Sequence, residues 1–241
     1  ISELHLLGEK EINVIESRNV KYHVIINNSK LNKKSFELYL LFYYVSSLFI
    51  RDNLYIGLDF EFNSKVIALM QINFEEANLN KNLVVNSFIF IIYPPDLNDG
   101  IYNFFIKKIL CNKKIFKILH GSDSLDIPYI YYELLKDNEL ILKFTNNLID
   151  TRFLCEYNII ENNLDDKCKI YFVLNREGII TDERYNYLLA NEKEMGPIYD
   201  IIIDINNLTK PLIKYTLYDV IYLKYLFLNY KKKNLIYDKV I

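Results

Sequence analysis

A three-layer α/β fold, with a mixed β-sheet between two layers of helices, is what this sequence predicts. Strand-like runs come first, at 22–26, 54–63, 65–74 and 87–93, and an alternation of strands and helices follows. Antiparallel strands followed by strand–helix alternation favour a mixed sheet that is covered on both faces. The chain has 241 residues, of which 51% are hydrophobic and 25% charged, and this suits one domain with a large core.

Apolar periodicity and turn residues set the bounds of the predicted elements. In order, they are strand Tyr22–Ile26, a helix from Ser35 to about Ile50, strands Leu54–Asn63, Lys65–Phe74 and Ser87–Tyr93, helix Asp96–Cys111, strand Phe116–Leu119, a helix that starts at Ser124 or Asp126, a turn into a short helix over Leu148–Glu156, and helix Pro211–Leu228. Residues 158–205 mix strand-like pieces with polar runs and give no clear period.

Charge and cysteine content exclude several classes of protein. The formal net charge of −2 gives no global attraction for nucleic acid, so such binding must rest on local patches. Cys111, Cys155 and Cys168 are odd in number and lack a C-x-x-C spacing, which predicts reduced thiols. The most apolar run, Phe36–Ile50, is too short to span a bilayer. Because no signal peptide is visible either, we expect an intracellular protein of the cytoplasm or nucleus, with no membrane partner.

The strand Leu54–Asn63 carries the first chemical signal. Side chains alternate across a strand, so Asp59 and Glu61 share one face while apolar side chains occupy the other. Their Cα atoms are then roughly 7 Å apart. Burying two like charges so close together is unfavourable unless a proton or a cation compensates them. A solvated strand end is the structural alternative, but the flanks are too apolar for it, and a divalent metal site is the better prediction.

Two further acids lie where such a site would need them. Asp126 opens a predicted helix just after a strand, and Asp219 lies inside the apolar helix near the end of the sequence. Tyr215 is four residues before Asp219, so the two share a helix face. Each has a structural interpretation when taken alone. An acid at a helix N-terminus is usually a cap, and a Tyr–Asp pair is usually a surface pair.

Taken in order, these residues resemble the motifs of the DEDD 3′–5′ exonucleases, in the ribonuclease D-like branch with a tyrosine in the last motif (DEDDy). The matching pieces are Asp59-Phe60-Glu61, Ala68–Ile72, Asp126-Ile127, Asp150-Thr151-Arg152 and Tyr215-x-x-x-Asp219 followed by Val220–Leu223. The resemblance covers about residues 22–228. It implies a ribonuclease H-like fold for a single 3′–5′ exonuclease domain over residues 1–241, preceded by an extension at 1–20.

The sequence departs from the family pattern at three points. His120 to Asp126 spans one position more than usual, so Asp123 competes for the role of third acidic ligand. Residues 158–210 form a divergent, insert-like segment, and Pro211 stands closer to Tyr215 than in the family. Apart from these three points, we expect no additional C-terminal domain of the kind found in some members.

The resemblance implies a two-metal hydrolysis of the terminal phosphodiester with Mg²⁺ or Mn²⁺, and a carboxylate-only site suits such hard cations. Asp59 would bridge the two ions, Glu61 and Asp219 would complete the first, and Asp126 would hold the second. An unperturbed tyrosine, with a pKa near 10, is a poor base at neutral pH. Tyr215 is therefore expected to orient the attacking water.

The expected substrate is the 3′ end of single-stranded RNA or DNA, with RNA preferred by resemblance, and the products would be nucleoside monophosphates. Candidate substrate contacts are Phe60, Gln71 and His120, with core or structural roles as the alternative for Phe60 and His120. Basic runs that could follow a phosphate backbone are Lys107, Lys108, Lys113, Lys114 and Lys117, and then Lys231–Lys233. Two other functions stay open, a catalytically idle protein that binds RNA or a protein partner, and a DNA proofreading-type exonuclease.

Overall fold

The structure is a computed structural model that describes residues 20–27, 54–75, 85–121 and 126–233. Its strands are β1 Val20–Asn27, β2 Leu54–Asn63, β3 Val66–Glu75, β4 Val85–Ile92, β5 Ile115–Leu119 and β6 Leu148–Asp150. Its α-helices are α1 Asp99–Phe105, α2 Asp126–Tyr129, α3 Asn138–Thr145, α4 Thr151–Glu161, α5 Ile170–Arg176, α6 Asp182–Met195, α7 Lys210–Ile221 and α8 Leu223–Lys232. Single π-helical turns continue α1 over Ile106–Leu110 and α2 over Ile130–Leu135.

One sheet with the order β1-β4-β3-β2-β5-β6 forms the middle layer. The β2–β3 and β3–β4 pairs are antiparallel, whereas the β1–β4, β2–β5 and β5–β6 pairs are parallel. The sheet is therefore mixed, as the sequence predicts. Its centre is β2, which lies antiparallel to one neighbour and parallel to the other.

Two apolar clusters lie on opposite faces of the sheet and complete the three layers. One cluster contains the apolar side chains on one face of β2, among them Leu54 and Ile56. Side chains of α1, α2, α3 and the π-helical turns pack against them. The other cluster is formed by α4–α8, with Val220 and Leu226 among its fully buried members. The predicted three-layer, ribonuclease H-like arrangement is confirmed, and the alternation along β2 separates the two clusters as expected.

Several predicted elements differ in detail. Predicted helix Asp96–Cys111 is a 3₁₀ turn, an α-helix and a π-helical turn in succession. Residues 148–150 form a strand, since they extend the sheet beyond β5, and the helix behind them runs to Glu161. The predicted last helix is divided at Tyr222 into α7 and α8. Residues 164–205 contain α5 and α6 and no strand. The predicted helix Ser35–Ile50 lies outside the described residues.

The cysteine prediction is wrong for two of the three residues. Cys155 and Cys168 form a disulfide between α4 and the segment that follows it, and Cys111 is a buried free thiol. Twelve residues lie between the paired cysteines, a spacing that matches no local motif. Within the described ranges, no helix has the length and apolar character needed to cross a bilayer.

Candidate metal centre

Three carboxylates converge on the face of the sheet that α7 covers. One carboxylate oxygen from each of Asp59, Glu61 and Asp219 lies within 4.8 Å of the other two. Asp59 and Glu61 come from neighbouring positions on one face of β2, and Asp219 comes from α7. The Glu61 residue is only 6% exposed. A cluster of this kind, built of carboxylates alone, has the donor chemistry that hard divalent cations prefer.

The close approach of α7 to β2 is what brings Asp219 to the strand. Gly57 lies against the backbone of Val220, the residue after Asp219, and a side chain at position 57 would collide with it. Thr209 caps the start of α7 by accepting from the backbone N–H of Leu212, and Pro211 sits in the first turn, where proline is tolerated. The helix therefore starts in a defined place and crosses the strand at its glycine.

Asp219 accepts hydrogen bonds from two tyrosines. The Tyr171 hydroxyl donates to Asp219 Oδ1 at 2.7 Å, and Tyr215 is hydrogen-bonded to the same carboxylate. Burial raises the pKa of Asp219 to about 7, while the two hydroxyls act in the opposite direction. The charge of Asp219, followed by burial, raises the pKa of Tyr215, and burial together with Asp219 raises the pKa of Tyr171. Both phenols therefore stay protonated at neutral pH and act as donors.

Glu61 is held by a neighbouring strand. Gln71 of β3 pairs with Asp59 in the antiparallel register, and its Nε2 donates to Glu61 Oε1 at 3.2 Å. The register shifts between Glu61 and Phe62, and this irregularity marks the end of the acidic strand face. Gln71 is fully buried, at 0% exposure, and Phe60 is 4% exposed within the opposite apolar cluster. Neither side chain faces solvent, so the contacts described here are structural, and a contact of either with substrate stays a prediction.

The third predicted acid remains a prediction. Asp126 is the first residue of α2, as the sequence indicates, but its side chain lies outside the described part of the chain, and so does the whole of Asp123. The choice between them is therefore open. His120 comes directly after β5, at the end of that strand where the chain continues towards α2.

Both ring nitrogens of His120 are engaged by protein atoms. Nε2 donates to the carbonyl oxygen of Cys168 at 2.7 Å, and Nδ1 lies 2.9 Å from Thr151 Oγ1. Burial lowers the pKa of His120. These contacts fit a structural role for His120, the alternative that the sequence left open. A contact of His120 with substrate stays a prediction.

A groove of about 760 Å³ opens beside His120. Its wall includes Arg152 of α4 and the exposed Lys167 and Lys169, which precede α5. Of the predicted basic run, Lys107, Lys108, Lys113 and Lys114 are exposed. Lys117 is instead fully buried, because it faces the apolar side of β5, where its ammonium lies 5.2 Å from the centre of the Phe144 ring.

The comparisons agree with the fold. The EXO domain of Nibbler from Aedes aegypti, known from a crystal structure, superposes with a TM-score of 0.51 at 11% identity, over 96% of this chain and 92% of that domain. An uncharacterised protein of Acanthamoeba polyphaga mimivirus is 40% identical over 228 residues, which are 91% of this chain. The chain spans 44% of the length of that viral relative. No protein-family model matches the chain.

Proposed function

We propose that this chain is a metal-dependent 3′–5′ exonuclease domain of the DEDD type, in the subgroup whose last motif carries a tyrosine. The observation that carries the proposal is the convergence of Asp59, Glu61 and Asp219 within 4.8 Å. Tyr215 is hydrogen-bonded to Asp219. The likeness of the fold to an EXO domain supports the same function. The proposed substrate is the 3′ end of single-stranded nucleic acid, RNA before DNA, with nucleoside monophosphates as products.

The three carboxylates fit a divalent cation, and the proposal includes a second ion beside the first. Asp59, Glu61 and Asp219 would hold the first ion, and Asp126 is proposed to complete the site for a second. When bound, Mg²⁺ or Mn²⁺ would stabilise the negative charge that develops on the attacking and leaving oxygens. The carboxylates of β2 and α7 supply the negative charge that such ions need. Gln71 orients Glu61, and the two tyrosines orient Asp219.

Tyr215 would act as a hydrogen-bonding group at the reacting end of the substrate. Its hydroxyl proton is held firmly, because the neighbouring Asp219, burial, Glu61 and Asp59 all disfavour the phenolate. The side chain is therefore suited to orienting the attacking water, and it is not suited to removing a proton from that water. The groove at His120 carries Arg152, Lys167 and Lys169 together with Glu156 and Asp166, and Arg152 is paired with Glu156. We propose it as the path of the phosphate backbone, with Lys167 and Lys169 as the cations that meet the phosphates.

Digestion of matched RNA and DNA oligonucleotides tests the proposal. Substrates labelled at the 3′ or the 5′ end are incubated with Mg²⁺, Mn²⁺ or EDTA, and an Asp59→Asn protein serves as the control for contaminating nucleases. We expect immediate release of labelled mononucleotide from 3′-labelled RNA and a ladder from 5′-labelled RNA, both abolished by EDTA. Binding without cleavage would favour the idle alternative, and cleavage confined to DNA would favour the proofreading type.

A further inference from the structure

The contact between Tyr171 and Asp219 joins the divergent segment 158–210 to the acidic cluster. Tyr171 lies in the first turn of α5, is 4% exposed and donates its hydroxyl hydrogen to Asp219 Oδ1 over 2.7 Å. The two residues are 48 positions apart. A buried phenol that donates to a carboxylate oxygen favours the ionised carboxylate and restricts its orientation.

Two tyrosines approach Asp219 from different elements. Tyr215 comes from the preceding turn of α7, the same helix that carries Asp219, and Tyr171 comes from α5. A contact within one helix moves with that helix, whereas a contact from a second helix fixes the carboxylate relative to the rest of the fold. Groups that hydrogen-bond to a metal-binding carboxylate commonly set its direction and raise the affinity of the site.

The start of α5 is fastened to its surroundings just before Tyr171. Residues 164–169 form neither helix nor strand, yet Cys168, three positions before Tyr171, is held twice. Its sulfur is bonded to Cys155 of α4, and its carbonyl oxygen accepts from His120 Nε2. A disulfide removes conformational freedom from the loop that it closes. Tyr171 is thus presented to Asp219 by a short segment that is secured to α4 and to the end of β5.

We propose that Tyr171 is a positioning residue of the metal centre, which fixes Asp219 for cation binding, and that the Cys155–Cys168 disulfide holds Tyr171 in place for this purpose. The inference rests on the metal site of the proposed function, but not on the substrate or on the direction of cleavage. It assigns a role to a residue that lies outside every piece of the sequence that resembles the exonuclease motifs.

Measurement of Mn²⁺ binding tests the role of Tyr171 apart from hydrolysis. The dissociation constant of Mn²⁺ is determined by electron paramagnetic resonance or calorimetry for the wild type and for Tyr171→Phe, together with the Tm of the metal-free proteins. We expect the dissociation constant to rise roughly 10-fold in Tyr171→Phe, as is common for groups that hold a metal ligand. In Cys155→Ser with Cys168→Ser we expect a rise in the same direction.

Tyr225→Phe is the matched control. Tyr225 also donates from a buried phenol to a carboxylate, that of Glu75, but this contact does not involve the acidic cluster. The control should lose stability and keep its affinity for Mn²⁺. An additional Tyr171→Phe change in an Asp219→Ala background should weaken Mn²⁺ binding no further, because its effect passes through the missing carboxylate.

The outcomes separate this inference from the proposed function. A Tyr171→Phe protein with a lower Tm and an unchanged Mn²⁺ dissociation constant would overturn the inference and leave the exonuclease proposal standing. If the wild type binds Mn²⁺ but cleaves no nucleic acid, the exonuclease proposal fails while the Tyr171 effect on Mn²⁺ still supports the inference. A wild type that binds no Mn²⁺ would overturn both.

Discussion

Gly57 lies so close to Val220 that a Cβ atom on the glycine would come within 2.4 Å of the Val220 carbonyl oxygen. This contact joins the middle of β2 to the turn of α7 that carries Asp219. Two acids on β2 and one on α7 can form a cluster only because the helix backbone rests on the strand at this point. The absence of a side chain at position 57 is thus a geometric requirement of the acidic cluster.

Replacing this glycine should damage the fold and the centre together. In Gly57→Ala the obstructing atom belongs to the backbone, so α7 must move away from β2. Overpacking of this kind typically destabilises a protein by about 1–3 kcal/mol. We expect that loss in chemical denaturation and a weaker affinity for Mn²⁺. Gly100→Ala, in α1, is the control: its Cβ atom would meet nothing closer than 3.5 Å, so stability should be level or slightly higher. Equal effects of the two substitutions would contradict the role of the contact.

The two acids of β2 should contribute to metal binding at the expense of the metal-free fold. We predict that Asp59→Asn and Glu61→Gln each abolish hydrolysis that depends on divalent ions, because an amide does not supply the negative charge that the cations need. The Tm of the metal-free protein should stay level or rise in both variants, since one charge of a crowded acidic cluster has been removed. Thermal denaturation with and without Mn²⁺ checks the stability statement, and a cleavage assay checks the other. Activity within a few-fold of the wild type in either variant would exclude this strand face as the metal site.

Lys117 gives the chain a pH-dependent stability that is unrelated to the metal centre. Burial lowers the pKa of Lys117 to about 8 from its ordinary value of 10.5, and its ammonium has no hydrogen-bond partner in the described part of the chain. Between these two pH values the unfolded chain binds the proton and the folded chain does not. Stability should therefore rise as the pH increases from 8 to 10.5, and below pH 8 the full cost of about 3 kcal/mol is present.

The variant Lys117→Met isolates this effect. It should be more stable than the wild type by up to about 3 kcal/mol at pH 7, and the difference should shrink towards zero as the pH approaches 10.5. Urea denaturation at several pH values measures the difference. Lys114→Met, at an exposed position in the turn before β5, is the control and should show no such trend. A constant difference between Lys117→Met and the wild type would mean that packing, and not the charge, determines the gain.

The position of the basic residues predicts which of them bind the nucleic-acid backbone. Lys167 and Lys169 border the groove beside His120, whereas Lys107 and Lys108 lie in the helical layer on the other face of the sheet. We predict that charge reversal of Lys167 and Lys169 weakens binding of single-stranded RNA. The slope of log affinity against log salt concentration should become shallower by roughly 0.7 for each phosphate that the protein no longer neutralises.

Charge reversal of Lys107 and Lys108 is the matched control, with the same number of charges reversed on the opposite layer. Fluorescence anisotropy at several salt concentrations, with Ca²⁺ in place of Mg²⁺ to limit cleavage, measures both sets. A larger effect of the control set than of Lys167 and Lys169 would place the backbone path elsewhere, on the face that the sequence run first suggested.

Local patterns were enough to predict five of the six described strands and part of the acidic cluster, while β6 was expected to be a turn. Alternation along β2 placed Asp59 and Glu61 on one face, and helical spacing placed Tyr215 beside Asp219, because both relations depend on residues only two or four positions apart. The structure adds that these two pairs meet. From the sequence, the meeting of the two pairs was expected from the order of the motifs, since no local pattern relates residues so far apart.

Two features that the sequence missed depend on contacts between separate elements of the chain, and a third had a local signal. Tyr171 meets Asp219 across 48 positions, and the Cys155–Cys168 bond joins α4 to the irregular segment that follows it. Lys117 was grouped with an exposed basic run. Its position two residues from both Ile115 and Leu119 places it on their apolar strand face, and this alternation was a signal for burial. The buried face of β5 includes all three residues.

The final prediction separates the two tyrosines that hold Asp219. Tyr171→Phe should weaken cation binding, so its activity should recover when Mg²⁺ is raised to saturation. Tyr215→Phe should lose in addition the hydroxyl that orients the attacking water, and extra Mg²⁺ cannot replace that group. At saturating Mg²⁺ we therefore expect kcat to fall roughly 10²-fold in Tyr215→Phe, the low end of what a positioned catalytic group contributes, and to stay near the wild-type value in Tyr171→Phe.

Tyr218→Phe provides the internal control for the Tyr215 experiment. Tyr218 is in the same helix, but its hydroxyl accepts from the buried Arg184 at 3.1 Å, in a contact that does not involve the acids. We expect a lower Tm and an unchanged kcat, because only a structural hydrogen bond is removed. Single-turnover cleavage of a short 3′-labelled RNA across a Mg²⁺ titration measures all three variants. If excess Mg²⁺ restored Tyr215→Phe as fully as Tyr171→Phe, the two hydroxyls would share one task, which is to fix Asp219, and the orientation of the water would have to come from another group.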